Sequence, residues 1–176
     1  LQTPPRTHAD TPRPPVVDAE TWQREHAALM AEEKAHTRAG DALAAKRRRL
    51  PMVGIDGTWV LQGPNGEASL LDMFEGRRQL VLYHHMLKPQ DPDPCGGCSA
   101  FGDSVATHLQ HLHAKDTTFA IVAEAPFDEV EQYRTHMGWT MPFYSQHGTT
   151  FGADVNPSPH GAGSFALSVF LRDGDA

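Results

Sequence analysis

Two runs of apolar residues, Gln79-Leu80-Val81-Leu82-Tyr83-His84 and Thr118-Phe119-Ala120-Ile121-Val122-Ala123, stand out from an otherwise polar chain. Near-continuous apolar runs of this length predict strands covered on both faces. Between them the pattern predicts a helix from Cys98 to about residue 114. After the second run Pro126 opens another helix, which ends by Gly138. Phe143-Tyr144-Ser145 is short enough for a third strand, and residues 168–172 make a final one before the turn at Asp173-Gly174. Upstream, residues 58–62 and 67–68 flank the turn Gly63-Pro64-Asn65-Gly66 and predict a hairpin. Ser69 then caps a short helix through Phe74, with Gly76 ending it. The stretch 146–164 is polar, rich in Gly and Pro, and is expected to be a loop. Strand, helix, strand, helix, strand is a βαβ layout of the α/β class. Its natural site lies in the loops at the carboxyl ends of the strands.

The first third of the chain follows a different pattern. Residues 1–15 hold five of the 14 prolines and are expected to be a disordered lead-in. From Asp18, an N-cap candidate, to Leu50 the pattern is helical. Trp22, Leu29, His36, Leu43 and Leu50 recur every seven residues and draw one narrow stripe. Gly40-Asp41 is expected to break this segment into two helices. The intervening positions His26, Glu33, Gly40 and Arg47 are polar or small, which argues against a sustained coiled coil. The stripe is expected to pack on the following domain or on a second copy, giving a homodimer through these helices. The expected organisation is a lead-in (1–15), a helical arm (16–50) and an α/β domain (51–176).

Charge narrows the choice of partners. Residues 1–50 carry 9 Lys and Arg against 7 Asp and Glu, whereas residues 51–176 carry 6 against 15. A domain this acidic repels a phosphate backbone, so no nucleic-acid partner is expected. No run approaches the roughly 18 apolar residues of a membrane helix, and the first residues lack a secretory pattern. A cytoplasmic location and no membrane partner are the corresponding expectations.

The committed chemistry is at Cys95-Gly96-Gly97-Cys98, which contains both cysteines of the chain. It lies where a buried strand gives way to a helix. A thiol there faces unpaired backbone N–H groups and the positive end of the helix dipole, which stabilise its thiolate. Cys95, just outside the helix, is therefore the expected nucleophile and Cys98 the resolving thiol. The pair also suits two ligands of a metal site. His84 and His85 arrive on the preceding strand, on opposite faces, so one of them is expected to point toward the cysteines. Met86, His147 and His160 are further candidates from loops. Two thiolates with one or two imidazoles suit copper or zinc. Other constellations are poor. Ser99 and Ser104 have no Gly-x-Ser-x-Gly elbow, and the glycines form no phosphate-binding fingerprint.

With these elements placed, the chain resembles the bacterial thioredoxin-like family known as domain of unknown function 899. The resemblance is carried by Asp41-Ala42-Leu43-Ala44, Arg47 to Pro51, Gly63 to Gly66, Leu82-Tyr83-His84 and Cys95-x-x-Cys98-Ser99. Tyr133-x-x-x-Met137-Gly138-Trp139 and Ser168 to Gly174 complete it. It implies a thioredoxin-like central mixed sheet flanked by helices and preceded by an N-terminal helical arm, and little about activity. Relatives are expected to continue past Gly174 with a partner strand and a helix. Two departures matter. Thioredoxin-like proteins usually carry a cis-proline just before the strand facing the CxxC, but Phe165-Ala166-Leu167-Ser168 stands there. The loop Lys88-Pro89-Gln90-Asp91-Pro92-Asp93-Pro94 is long and rich in proline and aspartate. Together they shift the expectation from docking an extended protein chain toward a small-molecule or metal role.

Three functions compete. The leading one is a thiol–disulfide oxidoreductase acting through Cys95 and Cys98 on a small-molecule or thiol/disulfide substrate. The alternative is a copper- or zinc-binding protein or metalloenzyme using Cys95, Cys98 and His84 or His85. The third is an interaction module whose helical arm is the working surface.

Overall fold

The computed structural model describes residues 13–105, 109–156 and 164–174. Most of the expected lead-in, and His160, lie outside these residues. The chain divides into two compact units, residues 1–54 and 55–176.

The first unit is built on α1 (Ala19–Arg47). The Asp18 carboxylate caps it, accepting the Thr21 N–H at 2.7 Å, and Lys46 and Arg47 complement its C-terminal dipole. It is one continuous helix of 29 residues, so the break expected at Gly40-Asp41 does not occur. A mid-helix glycine costs only about 1 kcal/mol relative to alanine, and the good helix formers Ala39, Ala42, Leu43, Ala44 and Ala45 surround this one. Trp22 stacks on His26 one turn later, with ring centroids 4.6 Å apart.

The second unit is a six-stranded mixed sheet. Its strands are β1 (Leu61–Gly63), β2 (Gly66–Ala68), β3 (Gln79–His84), β4 (Thr117–Ala123), β5 (Phe143–Ser145) and β6 (Ala166–Leu171). They lie in the order β2-β1-β5-β4-β3-β6. The strand pairs β3–β4 and β4–β5 are parallel, while β6 runs antiparallel to β3 from Gln79↔Leu171 to His84↔Ala166. The central strand β4 is buried at all seven positions, as its unbroken apolar run requires. Between β3 and β4 come α2 (Gly96–Ser104) and the single turn α3 (Gln110–His113), where one helix to residue 114 was expected. α4 (Phe127–Met137) joins β4 to β5 and ends at Gly138, whose φ of +69° suits a residue without a Cβ. The expected loop 146–164 contains a short helix, α5 (Phe151–Val155), anchored by the fully buried Phe151. Ser69 and Asp72 bond reciprocally around a 3-10 turn at Asp72–Phe74.

Period-two alternation splits the core into two layers. Leu80, Leu82, Ala120 and Val122 face Leu61, Met73, Phe74 and Phe151. Tyr83, Phe119, Ile121 and Phe143 face Cys98, Val130, Trp139 and Met141. The second layer is held by a close approach at Gly102 on α2, where an added Cβ would overlap the indole of Trp139. Trp139 Nε1–H donates to Asp103 Oδ1 at 2.9 Å, so the ring cannot move away freely. Gly102→Ala is therefore expected to destabilise the fold by about 1–3 kcal/mol, despite alanine's better helix propensity. A lowered urea midpoint checks this, and an unchanged or raised midpoint contradicts it.

Candidate functional site

β3 ends at His84 in the parallel centre of the sheet, and the chain leaves its carboxyl end to form the 88–94 loop and then α2. The loop is folded back on α4. Leu87 carbonyl oxygen accepts the Ala125 N–H at 3.0 Å, and Glu129 Oε2 accepts the Gln90 N–H at 2.7 Å. Asp91 N–H closes a turn onto Lys88 O at 3.2 Å, and Asp91 Oδ1 accepts the Asp93 N–H at 3.2 Å. This delivers Cys95 to the N-cap of α2 with Cys98 in the first turn.

The two thiols are free and differently placed: Cys95 is half-buried, and Cys98 is 2% exposed. Cys95 makes no formal side-chain cap bond, but the amides of the first turn act on its sulfur. The Cys98 amide, then the Cys98 side chain and the Gly97 amide, hold its pKa below the ordinary thiol range against burial and the Asp91 charge. Burial pushes Cys98 the other way, above that range. The Tyr83 hydroxyl and the Met86 amide, which donate toward its sulfur, offset this in part. Tyr83 is itself raised, first by burial and then by Cys98. Neither Gly96 nor Gly97 has a positive φ, and a Cβ on either meets nothing closer than the Cys95 sulfur at 3.9 Å. The glycines are therefore permissive there rather than sterically required.

Around the thiols lies a polar and aromatic frame. Ser99 Oγ donates to Cys95 O at 2.9 Å and shares a 2.6 Å hydrogen bond with the Tyr133 hydroxyl, tying α2 to α4. Tyr83 packs on Phe101 at 4.2 Å between centroids.

The two strand histidines part company. His85 lies on the cysteine face, 3% exposed, with its ring 5.5 Å from Tyr133, 5.9 Å from Trp139 and 5.7 Å from Phe143. Among the described residues neither of its nitrogens has a hydrogen-bond partner. Burial lowers its pKa to about 4, against the opposing pull of Asp91. His84 lies on the other face, where its Nε2 is 2.9 Å from Ser168 Oγ and its ring stacks on Phe151. Burial lowers it to about 4 as well. His147 is held elsewhere, its Nδ1 3.1 Å from Glu124 O, beside a cavity of about 240 Å³. Among the described residues no three His, Cys, Asp or Glu side chains gather as a metal site.

Sequence reasoning missed Tyr83 and Tyr133 as site residues. Tyr83 was within reach, because alternation along β3 puts it on the same face as His85. Tyr133 was not, since only the packing of α4 against α2 brings it to Ser99.

A CxxC at the start of the helix that follows the first of two parallel strands, with an antiparallel strand on that strand's other side, is a thioredoxin-like arrangement. The chain belongs to the family described as bacterial protein of unknown function (DUF899), whose sequence model matches residues 11–176. Compared with curated proteins, the chain matches none. Among the described residues no helix is long and apolar enough to cross a membrane.

Proposed function

We propose that this protein exchanges thiols and disulfides through Cys95 and Cys98. The observation that carries the reading is the unequal placement of the two thiols: Cys95 is half-buried at the N-cap of α2, where the first-turn amides favour its thiolate, and Cys98 is buried, which disfavours its own. Cys95 thiolate attacks one sulfur of a disulfide, and the other sulfur leaves as a thiolate. Cys98 then loses its proton and attacks the Cys95 sulfur of the mixed disulfide. This expels the second thiolate and leaves a Cys95–Cys98 disulfide. Tyr83 and the Met86 amide are placed to stabilise the Cys98 thiolate as it forms. A dithiol reductant restores the starting state. In dithiothreitol-driven reduction of hydroxyethyl disulfide, the wild type is expected to accelerate the reaction and Cys95→Ser to fall to background. Equal rates for the two proteins would refute the proposal.

The metal reading draws on one observation, that His85 shares the cysteine face with both ring nitrogens unpartnered. The lack of a three-residue cluster among the described residues makes it the weaker of the two. It expects stoichiometric copper or zinc by elemental analysis of the reduced protein.

A further inference from the structure

Beside Cys95 the fold leaves a cavity of about 600 Å³ between the 88–94 loop and α4, within the size range of small-molecule sites. Leu87, Pro94 and Tyr133 form its less polar lining, and Asp91 and Glu129 bring two carboxylates. The lining contains no Lys or Arg, and its only other titratable side chain besides Tyr133 is His136. Among the described residues, the hydrogen bonds to Glu129 and Asp91 come from backbone N–H groups, and neither carboxylate has a cationic partner. Arg134, the arginine of α4, is committed to Glu131 and to the Trp139 carbonyl.

The cavity borders the segment that carries the thiols, although neither thiol lines it. Pro94 on its wall precedes Cys95, and Tyr133 on its wall bonds Ser99 in the first turn of α2. Behind that wall, His85 packs its ring on Tyr133 with both nitrogens unpartnered. A neutral imidazole keeps one acceptor nitrogen and adds no positive charge to offset the two carboxylates. Asp91 is near enough to Cys95 and His85 to act electrostatically on both.

We infer that this cavity takes a small cationic, amine-bearing disulfide, with Asp91 and Glu129 as counter-charges for its ammonium group and the wall formed by Leu87 and Tyr133 for its carbon chain. The inference rests on the proposed nucleophile Cys95 and names the substrate class it attacks. An anionic disulfide meets like charge at the same wall and is rejected.

Rates of oxidation of the reduced protein decide the matter, with cystamine as cationic, hydroxyethyl disulfide as neutral and dithiodiglycolate as anionic oxidant. Each rate is divided by that of a free thiol with the same oxidant. Cystamine is expected to be favoured about tenfold over the neutral disulfide, with dithiodiglycolate slowest and the spread collapsing in molar salt. Asp91→Asn is expected to shrink the cystamine preference several-fold. It should also speed the neutral reaction, because a charge opposing the Cys95 thiolate is gone. A non-reactive arm separates the two readings: 1,6-diaminohexane, in which carbon replaces both sulfurs, is titrated by calorimetry into protein carrying Cys95→Ser and Cys98→Ser. Binding that is lost on Asp91→Asn supports the cavity assignment even if no disulfide reacts, in which case the exchange reading alone fails. Reaction with all three oxidants in free-thiol proportions, with no diamine binding, overturns the assignment and leaves the exchange reading standing.

Discussion

Cys98→Ser is expected to stop the cycle at the mixed disulfide, with the substrate half bound to Cys95 as a stable adduct. The reason is geometric. Cys98 is 2% exposed and sits one turn into α2 behind Cys95, so it is placed to attack the Cys95 sulfur and not to meet a substrate from solvent. Without it, release depends on an external thiol, and turnover with a dithiol reductant should fall by roughly a hundredfold or more. Mass spectrometry after mixing the reduced variant with cystamine or hydroxyethyl disulfide should show one adduct per chain, on Cys95. Iodoacetamide should modify Cys95 well before Cys98 in the wild type, with a pH midpoint below that of an ordinary thiol, as expected for a thiolate stabilised by helix N-terminal amides. Adducts on Cys98, or equal alkylation rates, would reverse the assigned roles.

Acid is expected to unfold this protein well before its carboxylates are protonated. His84 and His85 are 4% and 3% exposed, and burial lowers each from 6.5 to about 4. Well above pH 6.5 both are neutral whether the chain is folded or not, and their contribution to stability is intact. As pH falls below 6.5 the unfolded chain binds protons that the folded one refuses, so stability drops until about pH 4, where the folded protein is protonated too. The loss is about 3 kcal/mol for each histidine over that window, a large share of the 5–15 kcal/mol typical of a domain. His85→Phe separates the two contributions. The change removes two unsatisfied nitrogens from a box of aromatic rings and should raise the urea midpoint at pH 7 by an amount worth about 1 kcal/mol. It should also roughly halve the fall in stability between pH 7 and pH 4.5. If the variant is as acid-labile as the wild type, the burial of His85 is not the cause. The same change should weaken any binding that uses the imidazole acceptor, a common exchange of function for stability.

Much of the architecture was legible because it rests on local rules. Apolar runs on β3 and β4 mark covered strands, Pro126 and Gly138 bracket α4, and the position of Cys95 before a helix is a matter of adjacency. Where sequence reading failed, a local signal was outweighed. Gly40 lowers helix propensity by an amount that its alanine-rich neighbours overcome, so α1 runs through it. Gly and Pro around residues 146–164 obscured α5, whose stability comes from Phe151 in the core rather than from its own propensity. Within the site, the amino-acid order put two thiols and two histidines close together, and alternation separated the histidines into opposite faces.

Tertiary structure alone decided which histidine joined the thiols, because a strand's alternation has no sign until one face is covered by α2. It also made the two cysteines unequal, since Cys98 is buried in a cluster that Tyr83 joins from β3, Val130 from α4 and Trp139 from the segment after α4. The acidic cavity next to the CxxC segment has the same origin: Asp91 and Glu129 are 38 residues apart in the chain, and the hydrogen bond from Gln90 N–H to Glu129 helps close the loop over α4. Sequence by itself determined where thiol chemistry starts, at the amino end of a helix in an α/β sheet. The charge, burial and walls that shape that chemistry are long-range properties, and only the folded chain sets them.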